Sequence, residues 1–163
     1  MCLEGMAKTP VLTAQFYSAS YTEDVRLVLK HLCEKYPQSL LCAVGWSLGA
    51  NILVNYLGEE GDATPLSAAA SLCNPFDLSG CDKNLKSGFA QLYDWNLAAS
   101  MKENFRPHLH LFEGYDVDKA MLASTVRDVD DVITRVTFGT SPSLPRLIFE
   151  GGCVRVEQCR CLL

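Results

Sequence analysis

The pentapeptide Gly45-Trp46-Ser47-Leu48-Gly49 is the part of the sequence whose residue types and spacing could do chemistry. It fits G-x-S-x-G, in which a sharp turn between a strand and a helix exposes a serine hydroxyl as a nucleophile. Glycine is expected at positions 45 and 49 because a side chain there would collide with the neighbouring strand or helix. The backbone amide of Leu48, which follows the nucleophile, would donate to an oxyanion. The pattern therefore predicts attack by Ser47 on a carbonyl carbon.

Such a turn must follow a buried strand and open a helix, and the flanking sequence provides both. Residues 40–44 form a short continuous apolar run, which predicts a parallel strand covered on both faces. Residues 51–57 predict a helix that ends at Gly58 as its C-terminal cap. Residues 66–73 are small and apolar and predict a second buried strand. This context favours a nucleophile elbow over a tight turn with an idle serine.

A serine nucleophile needs a base and an acid, and these follow it in the order Ser, then Asp or Glu, then His. Of the three histidines in the chain, His108 and His110 follow Ser47. Asp77 lies between them and the serine. A triad of Ser47, Asp77 and His108 or His110 is therefore formally in order. Both histidines lie in a helical stretch instead of a loop after a late strand, so the alternative is a solvated turn beside Pro107.

Other ionisable residues have a simpler interpretation. Asp128, Asp130 and Asp131 are expected on a helix that faces water, the usual place of such charges. His31 precedes the serine and is expected at the surface of a predicted helix.

The elements around the motif predict an α/β fold with a parallel sheet. Ser20 and Glu23 have capping-box spacing, and the helix that they begin is expected to end at Pro37. Helix, strand, turn, helix and strand then follow in the order typical of a parallel sheet. The apolar face predicted for the first helix consists of Val25, Val28, Leu29 and Leu32.

After residue 80 the alternation stops and helical spacing takes over. Residues 116–135 predict one or two further helices, and residues 140–147 are rich in proline and serine. A helical insertion after a strand explains this region, with helices packed on the sheet edge as the alternative. The apolar residues at helical spacing are Leu85, Phe89, Leu92, Tyr93, Leu97, Met101 and Phe105.

Composition excludes several classes of function. The chain has 163 residues, of which 48% are hydrophobic and 20% charged, which predicts one domain with a real core. Its net charge is −5 and no basic cluster is present, so neither nucleic acid nor a polybasic membrane anchor is an expected partner. No apolar run is long enough to span a bilayer, which leaves peripheral membrane contact open.

The eight cysteines are interpreted as reduced thiols, which favours a cytoplasmic location. Cys153, Cys159 and Cys161 crowd the last stretch, but no matching pair of Cys or His provides the four ligands of a zinc site. No metal and no cofactor are expected.

Several sequence blocks together resemble α/β-hydrolase proteins related to the plant embryogenesis-associated protein. That branch is similar to animal abhydrolase-domain phospholipases and to bacterial esterases. The resemblance runs from about residue 10 to residue 139, and the blocks at 74–78 and 127–139 are more specific to the branch than the elbow. The blocks are residues 16–20, 45–51, 55–59, 74–78, 127–131, 134–135 and 138–139.

The resemblance implies a partial α/β-hydrolase parallel sheet in residues 1–139, with a helical cap-like region at about 80–135 and a divergent irregular tail at 140–163. It implies a serine carboxylesterase or an acylglycerol or phospholipid lipase that acts on small-molecule or lipid esters without a cofactor. By position, Ser47 is the nucleophile and Leu48 supplies one oxyanion amide.

The family pattern also implies a departure in this chain. In the family, the triad acid and histidine follow the region that ends here at Gly139, and Asp77 belongs to the segment that leads into the cap. We therefore expect impaired activity. The alternative is a non-catalytic truncated product or an interaction module that retains the hydrolase scaffold.

Overall fold

The structure is a computed structural model that describes residues 12, 14 and 18–137. These residues divide into two compact units at the bond between Leu78 and Ser79. The first unit contains residues 19–78, and the second contains residues 79–137 together with 12, 14 and 18. The predicted tail at 140–163, with its three cysteines, and the first eleven residues lie outside the described residues.

The first unit is a parallel α/β arrangement, which confirms the predicted fold class. Its two strands pair in parallel, with Ala43 opposite Ala69 and Trp46 opposite Leu72. Its elements are, in chain order, α1 (Glu23–Lys35), β1 (Leu41–Trp46), α2 (Leu48–Glu60), a 3₁₀ turn (Gly61–Ala63) and β2 (Leu66–Leu72).

Helix α2 forms the core of the first unit and covers one face of the strand pair. Its buried side chains include Ile52, Val54 and Tyr56. On β1, Val44 is 69% exposed and Trp46 is 66% exposed. The expectation that this strand is covered on both faces is therefore wrong for the described residues. Successive side chains of a strand point to opposite faces, and α2 packs on only one of them.

The helix ends of the first unit differ from the sequence prediction. The residue that caps the N-terminus of α1 is Thr22 instead of Ser20, and no side-chain capping bond forms. The Thr22 hydroxyl donates to the carboxylate of Glu59 on α2 instead. Helix α2 continues past Gly58, the predicted cap, to Glu60, and its C-terminal cap is Gly61, whose φ is +53°. Residues 23–35 confirm the predicted first helix, and Val25 and Leu29 of its predicted apolar face are buried, but Val28 of that face is exposed.

The second unit consists of helices joined by turns, with no strand among its described residues. Its core contains Phe112, whose ring meets those of Phe105 and Tyr115 edge-on at 5.8 and 5.7 Å between ring centroids. Its function as a cap stays a prediction. The elements are α3 (Leu78–Leu85, which begins at the boundary), α4 (Ala90–Phe105), a 3₁₀ helix (Arg106–Leu111), α5 (Val117–Leu122), α6 (Val126–Val132) and α7 (Thr134–Thr137).

The apolar face predicted near the start of α4 is wrong. Phe89 is 92% exposed, and Leu92 and Tyr93 are also exposed. The buried residue in that turn is Asp94, whose carboxylate accepts a hydrogen bond from the amide of Val126 at 2.9 Å. Helical spacing alone did not reveal this face because a buried carboxylate replaces an apolar side chain on it.

A buried carboxylate also links α3 to α6. Oδ2 of Asp82 accepts hydrogen bonds from Lys86 and Arg127, both at 2.9 Å. Burial raises the pKa of Asp82, but the bonds from these two cations outweigh burial and leave the pKa below its usual value.

Asp130 is partly buried, which corrects the expectation that this carboxyl faces water as Asp128 and Asp131 do. Its Oδ1 accepts a hydrogen bond from the buried hydroxyl of Thr134 at 2.8 Å. Burial raises the pKa of Asp130 to about 6, and the charge of Asp131 adds to the rise, while the bond from Thr134 opposes it. Within α6, Asp128 and Asp131 share a face as residues i and i+3, whereas Asp130 lies on another side of the helix.

We predict that Asp130→Asn removes a pH dependence of stability. A raised pKa means that the folded chain keeps a proton that the unfolded chain releases above about pH 4, so the free energy of unfolding falls as pH rises toward 6. Between pH 4 and 7, the free energy of unfolding of the wild type should therefore decline by on the order of 1–3 kcal/mol. An asparagine side chain at this position cannot ionise, so this decline should be absent when Asp130→Asn is denatured with urea. Asp128→Asn, an exposed change on the same helix, serves as the control. The same decline in both variants would contradict the prediction.

Candidate active site

Ser47 occupies the single residue between β1 and α2, in a backbone conformation that is rare for any residue but glycine. Its φ is +52° and its ψ is −120°. Such conformations cost roughly 1–3 kcal/mol and persist only where the surroundings enforce them. The Ser47 amide donates to the carbonyl of Leu72 at 2.9 Å, and its carbonyl accepts from the amides of Ala50 and Asn51 at 3.0 and 3.2 Å. The side chain is exposed at the carboxyl edge of the sheet.

Gly45 permits the close approach of α2 to β1. A Cβ atom on Gly45 would lie 2.6 Å from the Cα of Ala50 and 2.7 Å from the carbonyl oxygen of Gly49. Both neighbours are backbone atoms, so they could retreat only if the helix moved. The prediction for Gly45 therefore has a clear structural basis.

Gly49 does not meet the same constraint, which corrects the sequence expectation. It is exposed in the first turn of α2, and a Cβ atom there would meet no described atom within 4 Å beyond its own turn of helix. The helix periodicity explains the difference, because residue 49 faces solvent while residue 50 faces the strand. Trp46, a variable position of the motif, is exposed.

The Leu48 amide lies at the start of α2, where the first N–H groups have no partner within the helix. Among the described residues, this amide donates to no backbone carbonyl. The positive end of the helix dipole lies at the same place and favours negative charge. The amide is therefore suited to an oxyanion that forms beside Ser47.

Sequence reasoning missed two asparagines that support this edge. Asn51 lies in α2, where its side-chain Nδ2 donates to the carbonyl of Pro75 at 3.2 Å. Asn55 follows one turn later and donates to Asn51 Oδ1 at 3.1 Å. The signal for both was available: polar amides at positions i and i+4 of an otherwise apolar helix.

The remaining triad candidates divide between the two units. Asp77 is exposed in the first unit, directly before α3. His108 is partly buried and His110 exposed in the 3₁₀ helix of the second unit, with 6.5 Å between their ring centroids. The triad of Ser47, Asp77 and either histidine therefore stays a prediction. His31 is exposed on α1, as expected.

Neither a metal-binding cluster nor a membrane-spanning helix is present among the described residues. Among residues 12, 14 and 18–137, no group of three or more His, Cys, Asp or Glu side chains is placed to hold a metal ion. None of the helices in that part of the chain combines the length and hydropathy of a membrane span.

Several curated proteins are similar to this chain over most of its length. Embryogenesis-associated protein EMB8 of Picea glauca is 48% identical over 141 residues, which cover 83% of the chain and 31% of the relative. Phospholipase ABHD3 of Homo sapiens is 33% identical over 137 residues, with 83% and 34% covered. Putative esterase YheT of Escherichia coli is 30% identical over 147 residues, with 88% and 43% covered.

The chain spans about a third of the length of the first of these relatives. No protein-family profile matches it, and no solved structure matches it.

We predict that Gly45→Ala and Gly49→Ala have opposite effects on stability. Gly45→Ala forces α2 away from β1 and should lower the free energy of unfolding by about 1–3 kcal/mol. Gly49→Ala adds a methyl group to an open helical position and should be neutral or stabilising by up to about 1 kcal/mol. Urea denaturation followed by circular dichroism measures both, and equal destabilisation would contradict the geometry.

Proposed function

Because the chain belongs to the α/β-hydrolase superfamily, in the branch of the embryogenesis-associated and abhydrolase-domain proteins, we propose that Ser47 is the nucleophile of a serine carboxylic-ester hydrolase. The observation that carries the proposal is the exposed serine at φ +52° between a strand covered by α2 on one face and the N-terminus of that helix. That conformation is costly, and such strain is concentrated at functional sites.

The proposed chemistry is acyl transfer. The Ser47 oxygen bonds to the ester carbonyl carbon and gives its proton to a base, while the carbonyl electron pair moves to oxygen. The resulting oxyanion accepts a hydrogen bond from the Leu48 amide at the positive end of α2. Collapse of the intermediate breaks the bond to the alcohol, which leaves with a proton, and water then releases the acid from Ser47.

The Ser47 hydroxyl needs a base to take its proton. His108 or His110, with Asp77 as acid, has the required chain order, but each histidine belongs to a different unit from Ser47. In the resembled family, the triad acid and histidine follow the region that ends here at Gly139. We therefore propose that this stretch of chain turns over esters poorly, since loss of a triad member lowers kcat by several orders of magnitude.

Small-molecule or lipid esters are the proposed substrates. Relatives are named as a phospholipase, a monoacylglycerol lipase and a medium-chain fatty acid ethyl ester synthase/esterase. Exposed apolar side chains such as Phe89 and Trp46 support peripheral contact with a membrane. A cytoplasmic location is also proposed, and the free thiols of Cys33 and Cys81 are compatible with it.

A second candidate is an interaction module that keeps the hydrolase scaffold without catalysis. The exposed face of β1, where Val44 and Trp46 are open to solvent, favours it. An apolar sheet face of this kind is typical of a protein contact surface. Reactivity of Ser47 distinguishes the two candidates.

We predict that a fluorophosphonate probe labels this chain at Ser47 slowly, because the elbow exposes the hydroxyl beside an oxyanion donor while the impaired triad activates it only weakly. Mass spectrometry of the labelled peptide locates the adduct. Ser47→Ala should abolish labelling, while Ser39→Ala, at an exposed turn before β1, should leave it unchanged. Labelling that persists in Ser47→Ala, or that is absent from a folded wild-type sample, would refute the nucleophile.

A further inference from the structure

Asn51 places a buried amide side chain in the apolar core-facing part of α2, with 1% of its surface exposed. Its neighbours in the helix, Ile52, Leu53 and Val54, are buried and apolar. A buried amide without partners is costly, so the direction of its hydrogen bonds matters. Its Nδ2 donates to the carbonyl of Pro75 at 3.2 Å, and its Oδ1 accepts from Asn55 at 3.1 Å.

Asn55 fixes the orientation of that amide. Its Nδ2 donates both to Asn51 Oδ1 and to the carbonyl of Ala19, each at 3.1 Å. Because Asn55 presents a donor to Asn51, the oxygen of the Asn51 amide faces Asn55 and the nitrogen faces Pro75. The two asparagines therefore form a directed chain from the segment before α1 to the turn after β2.

These bonds close a ring around Ser47. The backbone amide of Asn51 donates to the Ser47 carbonyl at 3.2 Å, and the Ser47 amide donates to the Leu72 carbonyl at 2.9 Å. From Leu72, the chain reaches Pro75 through a turn that contains Cys73, whose φ is also positive. The Asn51 side chain then returns from Pro75 to α2.

We propose that Asn51 is a positioning residue that holds Ser47 in its strained conformation by tying α2 to the turn after β2. The proposal rests on the proposed function, because positioning matters for chemistry only if Ser47 is the nucleophile. A strained residue relaxes unless it is fixed from both sides. The backbone amide of Asn51 holds the Ser47 carbonyl, and the Leu72 carbonyl at the end of β2 holds the Ser47 amide. The Asn51 side chain fixes the turn that follows Leu72 through its bond to Pro75.

The test compares Asn51→Leu, which fills the volume without hydrogen bonds, with Asn51→Asp, which keeps the shape. Asn96→Asp, on an exposed position of α4, is the matched control. Two properties are measured in each variant. One is the amide hydrogen-exchange protection of Ser47 and of Phe76, whose amide donates to the Asn74 carbonyl at 3.0 Å in the turn after β2. The reference is the amide of Arg26 in α1, which donates to the Thr22 carbonyl at 3.1 Å. The other is the rate of fluorophosphonate labelling relative to the wild type at each pH.

We expect Asn51→Leu to lose protection at Ser47 and Phe76 by about tenfold more than at Arg26, and to be labelled about tenfold more slowly. Asn51→Asp should show the same defects at neutral pH and recover both properties as pH falls. A neutral carboxylic acid has a hydroxyl donor for Pro75 and a carbonyl acceptor for Asn55, as the native amide does.

Equal loss of protection at the three amides of Asn51→Leu would show that Asn51 has a merely structural role, and it would overturn the proposal. Unchanged protection of Ser47 in a folded Asn51→Leu sample would overturn it too. If Asn51→Leu fails to fold, the pH recovery of Asn51→Asp decides. If the wild-type chain is not labelled, the nucleophile assignment fails, and the exchange pattern still decides whether Asn51 positions Ser47.

Discussion

The close approach of α2 to the end of β1 at Gly45 is the constraint on which the rest of the site depends. With a Cβ atom excluded at that position, the backbone of Ala50 packs directly on the strand. The connection between strand and helix then contains one residue, Ser47, which takes up the whole change of direction. Its positive φ follows from this geometry, and so does the exposure of its side chain at the sheet edge.

Strain at one residue requires support from its neighbours, and the first unit provides this support through polar contacts inside an apolar helix. The amide and carbonyl of Ser47 are both bonded. Asn51 and Asn55 add a second layer, which connects α2 to the turn after β2 and to the segment before α1. Buried hydrogen bonds of this kind are directional, so they specify one arrangement of the strand end where apolar packing alone would accept several.

The order of the elements and the motif could be predicted from sequence because both depend on local rules. The apolar run before Gly45 and the helical spacing after it are properties of neighbouring residues, and the structure confirms the parallel pair. Contacts between elements decided the features that were predicted wrongly. Thr22 precedes α1 without a side-chain capping bond because its hydroxyl donates to a carboxylate from α2. Asp94 is buried because an amide of α6 binds it, and Asp130 is withdrawn from water beside a hydroxyl of α7.

The most direct test of Ser47 as an elbow nucleophile is a crystal structure of the chain after reaction with an organophosphonate. We expect a covalent bond from Ser47 Oγ to phosphorus, a phosphonyl oxygen within hydrogen-bond distance of the Leu48 amide, and a positive φ at Ser47. An adduct on another residue, or a Ser47 that carries the adduct with an ordinary negative φ and no contact to Leu48, would contradict this assignment.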